Sequence, residues 1–415
     1  MGDNFDIGNE IVLDSDDAID HHPELEYPEL EYPELENSEF DAIGGQNNTG
    51  AVVHWNDTKV HPTPPTMFAC AGIKHNMSLL LQQTVFEEYQ IEDLSIIPTS
   101  ANVKTWKNIL RQKPSNEYDI FMYDYNMGAP TACSSIVTAW LLTKFQGHFI
   151  AFSCESPSSR PFTKSRSNMH FFGPAEQPTE NDIVTYFFQY YWLGQQRDSD
   201  RSDMNQKNNY LKPHAMVDSN LRPRGSKEYF IIYLQGNCVY YREQAAARIS
   251  EIGPVHCAGK CQGRPPRSGD RSNLTSISAP HRRNFRGNAG VLSNYRFCLV
   301  MENKKQSGYI TEKIMNAFAA GCVPIYYGTE EIFAIFNKRS FVYYNVSDPQ
   351  PALDEIKRLE NDEDAYEKML TTEPIVANGN LTIEQYFSFE DSVMNGVLKR
   401  RYRQLIGLSD LYFVP

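Results

Sequence analysis

The sequence predicts an α/β protein of two domains that face each other across a cleft. Three observations predict it. A strand–helix–strand pattern runs through residues 117–155, a second α/β series runs through 228–328, and residues 198–228 between them lose periodicity and gain Asp, Asn, Pro and Lys. A strand, a crossover helix and a second strand make a parallel sheet, and ligands of open parallel sheets bind outside the carboxyl ends of the strands. With 415 residues the chain is long enough for two to three domains.

Residues 1–62 read as a disordered acidic spacer. Residues 1–50 hold 15 Asp and Glu with no Lys or Arg, and Pro23 to Glu36 reads PELEYPELEYPELE. Proline every fifth residue forbids a continuous helix, and dense like charge opposes collapse. The first domain is placed at 63–200. Within it EYDIFMYDY (117–125) is a buried strand, following the breakers Pro114, Ser115 and Asn116. TACSSIVTAWLLTKF (131–145) is a helix, with Ile136, Trp140, Leu141 and Phe145 at helical spacing. GHFIAFSCE (147–155) is the next strand, stopped by Ser156 and Pro157.

A linker is placed at 201–227 and the second domain at 228–385. EYFIIYLQG (228–236) is a strand, YYREQAAARISEIG (240–253) a helix ending on Gly253, and PVHCAG (254–259) a strand. YRFCLVME (295–302) and VPIYYG (323–328) are two more strands, and 386–415 reads as a C-terminal helical segment. Residues 260–290 form a basic loop with Phe285 as its one aromatic. Single-stranded nucleic acid is held by aromatics interleaved with basic groups, so the loop reads instead as a cover for a phosphorylated ligand, with no nucleic-acid partner.

The net charge of −13 is unevenly spread, since the 365 residues after the acidic head carry +2. No run of about 18 apolar residues encodes a membrane span, and the N-terminus lacks the basic-then-apolar plan of a signal peptide. Two features nevertheless point to the secretory pathway. Asn47, Asn56, Asn76, Asn273, Asn345 and Asn380 each open an N-x-S/T sequon, where average composition supplies about two. Eight cysteines also occur, at 70, 133, 154, 238, 257, 261, 298 and 322. None has zinc-finger spacing, because Cys257 and Cys261 lack a second pair. A luminal protein of this kind would need an anchor that this chain does not contain.

GYITEKIMNAFAAGCVPIYYG, from Gly308 to Gly328, raises a chemical question. Thr311 reads as the N-cap of a helix over 312–320, and Gly321 as its left-handed C-cap. Lys313 then sits in the first turn, where the helix dipole disfavours a cation by about 0.3–1 kcal/mol. Either Lys313 reaches into water, or an anion nearby makes it welcome. Glu312 and Lys313 lie at a helix N-terminus beside a strand's carboxyl end, which suits a phosphate. Glu312 could also accept hydrogen bonds from sugar hydroxyls, or merely stabilise the dipole.

YRFCLVMENKKQSGYITEKIMNAFAAGCVPIYYG (295–328) resembles the signature of the α1,3-fucosyltransferases, glycosyltransferase family 10. LQGNCVYYREQAAARI (234–249), GKCQGR (259–264), FSCESPSSRP (152–161) and RDSD (197–200) resemble further family segments in order. The resemblance implies two facing Rossmann-like domains of the GT-B type. It implies GDP-fucose as donor, a glycan acceptor on a glycoprotein, and inverting transfer to O3 of N-acetylglucosamine without a metal or other cofactor. It places Arg242 and Lys313 on the diphosphate, Glu312 and Tyr309 on ribose or fucose, and Asn303 on the donor. Glu155 would be the general base, Cys238 would pair with Cys261 unless Cys257 competes, and the protein would be a type II membrane protein of the Golgi lumen.

The sequence departs from the family pattern where Lys304 replaces Ser after Glu302–Asn303, with Lys305 adding charge. The segment FFGPAEQPTENDIVTYFFQYYWLG (171–194) is richer in aromatics than expected. Three other readings stand beside this one. Asp198 and Asp200 match the D-x-D with which other glycosyltransferases hold Mn²⁺. The same fold and cations would serve another GDP-sugar, or a glycan- or GDP-binding protein without activity.

Overall fold

The computed structural model describes residues 59–61, 64–70, 77–94, 101–113, 116–124, 135–141, 143, 145–153, 166–174, 178–199, 211–263, 273–278, 288–408 and 411–413. Two parallel sheets of six strands each organise them. The first half contains β1 (Lys59–His61), β2 (Thr66–Cys70), α1 (Met77–Thr84), β3 (Gln90–Asp93), α2 (Val103–Gln112), β4 (Ile120–Asp124), α3 (Ile136–Leu141), β5 (His148–Phe152), β6 (Met169–Phe172), β7 (Asp182–Ile183) and α4 (Phe187–Ser199). Its sheet has the order β3-β2-β4-β5-β6-β7. The register puts Phe68, Phe121 and Phe149 side by side on three neighbouring strands. Their rings stack at 5.3 and 6.4 Å. Strands buried on both faces read as continuous apolar runs, which is why the sequence located β4 and β5.

The second half comprises α5 (Pro213–Val217), β8 (Tyr229–Gln235), α6 (Tyr240–Ile249), β9 (Val255–Gly259), β10 (Leu274–Ser276), α7 (Asn288–Leu292), β11 (Tyr295–Leu299), α8 (Glu312–Ala320), β12 (Val323–Tyr326), α9 (Ile332–Ile335), β13 (Val342–Tyr343), α10 (Gln350–Asn361), α11 (Glu363–Thr371), α12 (Asn380–Phe387), α13 (Val397–Leu405) and β14 (Leu411–Phe413). Its order is β10-β9-β8-β11-β12-β13, again all parallel. Two six-stranded parallel sheets in one chain agree with the GT-B plan that the resemblance implies. Strands β8 and β11 are the central pair, with Phe297 beside Ile231 and Cys298 beside Ile232.

Helix α4 accounts for the aromatic segment. Phe188, Tyr190, Tyr191, Trp192 and Leu193 are all buried, so the first two turns of the helix are apolar on more than one face because they are enclosed on more than one face. Phe188 packs on Phe336 and Phe387 at 5.6 and 5.7 Å, and Trp192 meets Phe387 edge-on at 5.1 Å. The Tyr191 hydroxyl donates to Asn316 Oδ1 of α8 at 2.5 Å. The aromatic run therefore builds the core shared by the two halves.

Four expectations need correction. Residues 59–61 fall inside the expected spacer but form β1, and β1 pairs in parallel with β14. The C-terminal segment is thus a helix followed by a strand. The helix expected over 131–145 is described as helical at Ile136–Leu141, and the one expected to end on Gly253 ends at Ile249. Among the described residues no helix is long and apolar enough to cross a membrane.

Cys238 pairs with Cys261, leaving Cys257 a buried free thiol. A second disulfide, Cys298–Cys322, joins β11 to the residue before β12 and encloses α8. Closing a loop with a sequence separation of 24 restrains the unfolded chain by about 3 kcal/mol. Nothing in the sequence had singled out this pair.

Candidate donor-binding site

The site is built at the carboxyl ends of β8 and β11 and the N-terminus of α8. Helix α8 forms because Ile314, Ala317 and Phe318 face the core while Gly321, at φ 77°, ends it in the left-handed conformation. A Cβ on Gly321 would lie 2.4 Å from the Gly225 nitrogen. Glycine is therefore required there twice, by backbone conformation and by close approach.

Thr311 occupies the N-cap position, but its side chain makes no capping bond. Glu302, three residues past the end of β11, does the work expected of it. The Glu302 carboxylate accepts from the Thr311 amide at 2.6 Å, from the Thr311 hydroxyl at 2.7 Å and from Lys313 Nζ at 3.0 Å. Lys313 also donates to the Thr311 hydroxyl at 2.6 Å and lies 3.7 Å from Glu312. The anion that makes Lys313 welcome at a helix N-terminus is thus a residue of the chain. Glu302 is completely buried, whereas the Lys313 side chain keeps 14% of its surface exposed. Burial alone would lower the Lys313 pKa, but Glu302 and then Glu312 outweigh it and hold the ammonium above its usual range.

Arg242, from the first turn of α6, approaches the same residue from the other side. Its Nε donates to the Glu302 carbonyl at 3.0 Å, and its Nη1 to Gln235 Oε1 at 3.3 Å and the Asn237 carbonyl at 3.1 Å. Burial pushes the Arg242 pKa down, and Tyr241 and Glu302 pull it back up. Arg242 Nη2 is buried with no hydrogen-bond partner, and so is the Tyr326 hydroxyl. A Cβ added at Gly328 would fall 2.3 Å from that hydroxyl and 3.0 Å from Glu302 Cγ. Tyr241 completes the wall by donating to the Glu302 carbonyl at 2.6 Å.

The remaining expected donor residues lie on the connection between β11 and α8. Asn303 Nδ2 donates to the Tyr309 hydroxyl at 3.2 Å. Lys304 Nζ sits 5.9 Å from the Tyr309 ring centroid, within cation–π reach. Lys305 pairs with Glu330 at 2.6 Å, so of the two extra lysines it is Lys304 that faces the tyrosine. Glu331 braces the connection through the Gly308 amide at 2.8 Å and the Ser307 hydroxyl, and accepts from Tyr186 of the first half at 3.3 Å.

Arg242, Asn303, Tyr309, Glu312 and Lys313 therefore share one end of the second sheet, with Glu302, Gln235, Tyr241 and Tyr326 beside them. Sequence reasoning passed over Glu302, although a carboxylate directly after the apolar run YRFCLVM signals a charge that needs a buried partner. Glu155, Asn47, Asn56 and Asn76 lie outside the described residues, as does Asp200. Asn273, Asn345 and Asn380 are exposed. The cluster of possible metal ligands among the described residues, Cys238, Glu243 and Cys261, has both thiols in a disulfide.

Comparison with known proteins adds the following. Residues 225–373 match the model of the glycosyltransferase family 10 (fucosyltransferase) C-terminal domain. The chain is 35% identical over 109 residues to an alpha-(1,3)-fucosyltransferase of Helicobacter pylori, covering 26% of this chain and 23% of that one. It is 27% identical over 141 residues to GDP-fucose protein O-fucosyltransferase 3 of Bos taurus, covering 33% of this chain and 28% of that one. The matched stretches thus span about a quarter of each relative's own length. A crystal structure of an alpha1,3-fucosyltransferase with GDP-fucose aligns with a TM-score of 0.47 at 17% identity, covering 90% of this chain and 96% of that one. The matched stretch begins in the linker before β8, runs through α11 and includes every described residue of the candidate site, so what the chain shares with glycosyltransferase family 10, the fucosyltransferases, is this C-terminal domain.

Proposed function

We propose that this protein transfers fucose from GDP-fucose to O3 of an N-acetylglucosamine in a glycoprotein glycan, in α1,3 linkage, with inversion and without a metal ion. The observation that carries the reading is the pair of cations, Arg242 and Lys313, held on either side of Glu302 at the carboxyl end of the sheet. Arg242 retains a buried nitrogen with no partner, which a diphosphate oxygen would satisfy. As the leaving GDP gains charge, preorganised cations stabilise it there. Tyr309 and Glu312 would contact ribose or fucose hydroxyls, and Asn303, which donates to the Tyr309 hydroxyl, would orient that ring.

The chemistry is a single displacement. The acceptor oxygen attacks the anomeric carbon, the bond from that carbon to the phosphate oxygen breaks, and GDP departs with the electron pair. The hydroxyl proton passes to Glu155, a gain of about 10²–10⁴-fold for a well-placed carboxylate. The disulfides and the sequons support a luminal setting in the Golgi.

The test is incubation of the purified protein with GDP-fucose and a panel of N-acetylglucosamine-terminated and N-glycan core acceptors, with and without EDTA, read by product mass. A fucose-sized gain that survives EDTA is expected. A gain lost with EDTA would replace this reading with metal-dependent transfer through Asp198 and Asp200. No gain on any acceptor, with GDP still bound, would leave another GDP-sugar or a binding protein. Glu155→Gln should keep GDP affinity and lower turnover at least about a hundredfold; a rate near that of the unaltered protein would remove Glu155 as the base.

A further inference from the structure

We infer that Glu302 is a positioning residue, which fixes Arg242 through its carbonyl and Lys313 through its carboxylate so that both cations meet one nucleoside diphosphate. The inference rests on the donor reading above and assigns a role to a residue outside the expected contact set.

Every polar group of Glu302 is engaged. Its amide donates to the Tyr327 carbonyl at 2.7 Å, which ties it to the residue after β12. Its carbonyl takes Arg242 Nε and the Tyr241 hydroxyl, and its carboxylate takes Thr311 and Lys313. Three segments, β11, α6 and α8, therefore converge on one side chain and its own backbone. A helix cap alone would need only the Thr311 bonds. It would not involve Arg242 or call for a lysine in the first turn.

The donors left over mark what the arrangement is for. An ammonium has three hydrogens. Glu302 and Thr311 take two from Lys313, and Glu312 at 3.7 Å is too far for a hydrogen bond. Arg242 Nη2 and the Tyr326 hydroxyl are buried and without partners. Unmade hydrogen bonds to buried groups are costly, so a ligand rich in acceptor oxygens would complete them. Phosphate is such a ligand.

The charged and titratable groups acting on Lys313 are Glu302, Glu312, Tyr309 and Arg242. Burial and Arg242 favour the neutral amine, while the two glutamates and Tyr309 favour the ammonium. Replacing Glu302 by Gln removes the strongest of the favourable groups, so Lys313 would then lose its proton at lower pH. GDP affinity would fall with it.

The experiment measures GDP binding by calorimetry for the unaltered chain, E302Q, K313M and E302Q/K313M between pH 7 and 9, together with thermal melting. The nucleotide's own titration is common to all four proteins and cancels on comparison. E302Q should lose about tenfold or more in affinity relative to the unaltered chain as pH rises. The double variant should bind GDP no worse than K313M, because Glu302 acts through Lys313. It should also melt higher than K313M, in which the Glu302 carboxylate is buried without its cation. This melting comparison decides the matter if E302Q alone does not fold. An E302Q pH profile parallel to that of the unaltered chain, or a double variant that melts no higher than K313M, would overturn the inference while leaving the donor reading intact. No GDP binding by the unaltered chain would overturn both.

Discussion

At the scale of single residues, Lys313 has Glu302 and the Thr311 hydroxyl as hydrogen-bond partners, and on the proposed reading a diphosphate oxygen would take its third hydrogen. Losing a charge-assisted hydrogen bond costs about 1.5–3 kcal/mol. Lys313→Ala should therefore weaken GDP binding by about tenfold to a hundredfold; an unchanged dissociation constant by calorimetry would place the phosphate elsewhere. Gly328 offers a steric test of the same region. Because a methyl there would strike the Tyr326 hydroxyl and Glu302, Gly328→Ala should cost about 1–3 kcal/mol of stability and lower the denaturation midpoint. Much of this site was legible one residue at a time. Spacing alone marked Glu312 and Lys313 at a helix start, because helix dipoles give charges there a meaning. The identity of the lysine's partner was not legible, since Glu302 lies on another element and only folding brings it within 3.0 Å of the ammonium.

At the scale of elements, strands with unbroken apolar runs announced themselves, and β4, β5, β8, β11 and β12 lie where their sequences put them. Short or polar strands did not. Strand β3 has the sequence QIED with mostly exposed residues, and β7 has two residues, so neither offers a period to read. Helix α4 is the instructive failure. Its aromatics looked anomalous because the first domain alone has no place for so many. The second half supplies that place, through Phe336, Phe387 and Tyr402. Tyr191→Phe keeps the ring and removes its bond to Asn316, leaving a buried amide oxygen short of a donor. It should destabilise the protein by about 1–3 kcal/mol; an unshifted urea midpoint would show that the Asn316 amide finds another donor.

At the scale of the whole molecule, stability should depend on pH through two histidines. His148 Nδ1 lies 2.8 Å from His170 Nε2, and His170 Nδ1 lies 3.1 Å from the Asn181 carbonyl. A carbonyl can only accept, so His170 carries its hydrogen on Nδ1, and its Nε2 accepts from His148. Burial lowers both histidines to about 4 from 6.5. The unfolded chain then binds more protons than the folded one between pH 6.5 and 4. Stability should fall as pH drops through that window, by at most about 1.4 kcal/mol per pH unit for each histidine. Melting curves at pH 7, 6 and 5 should show the decline, and His148→Gln should flatten it; equal slopes in both proteins would assign the decline to other groups. The Cys298–Cys322 bridge has a separate consequence for how the molecule responds to proteases. It spans the Glu302–Lys313 segment, so a single cut anywhere between 299 and 321 opens the backbone without parting the fragments. A nicked protein would migrate as one species until a reductant is added and as two afterwards, and until then both arms of the donor site would stay tethered across the cut.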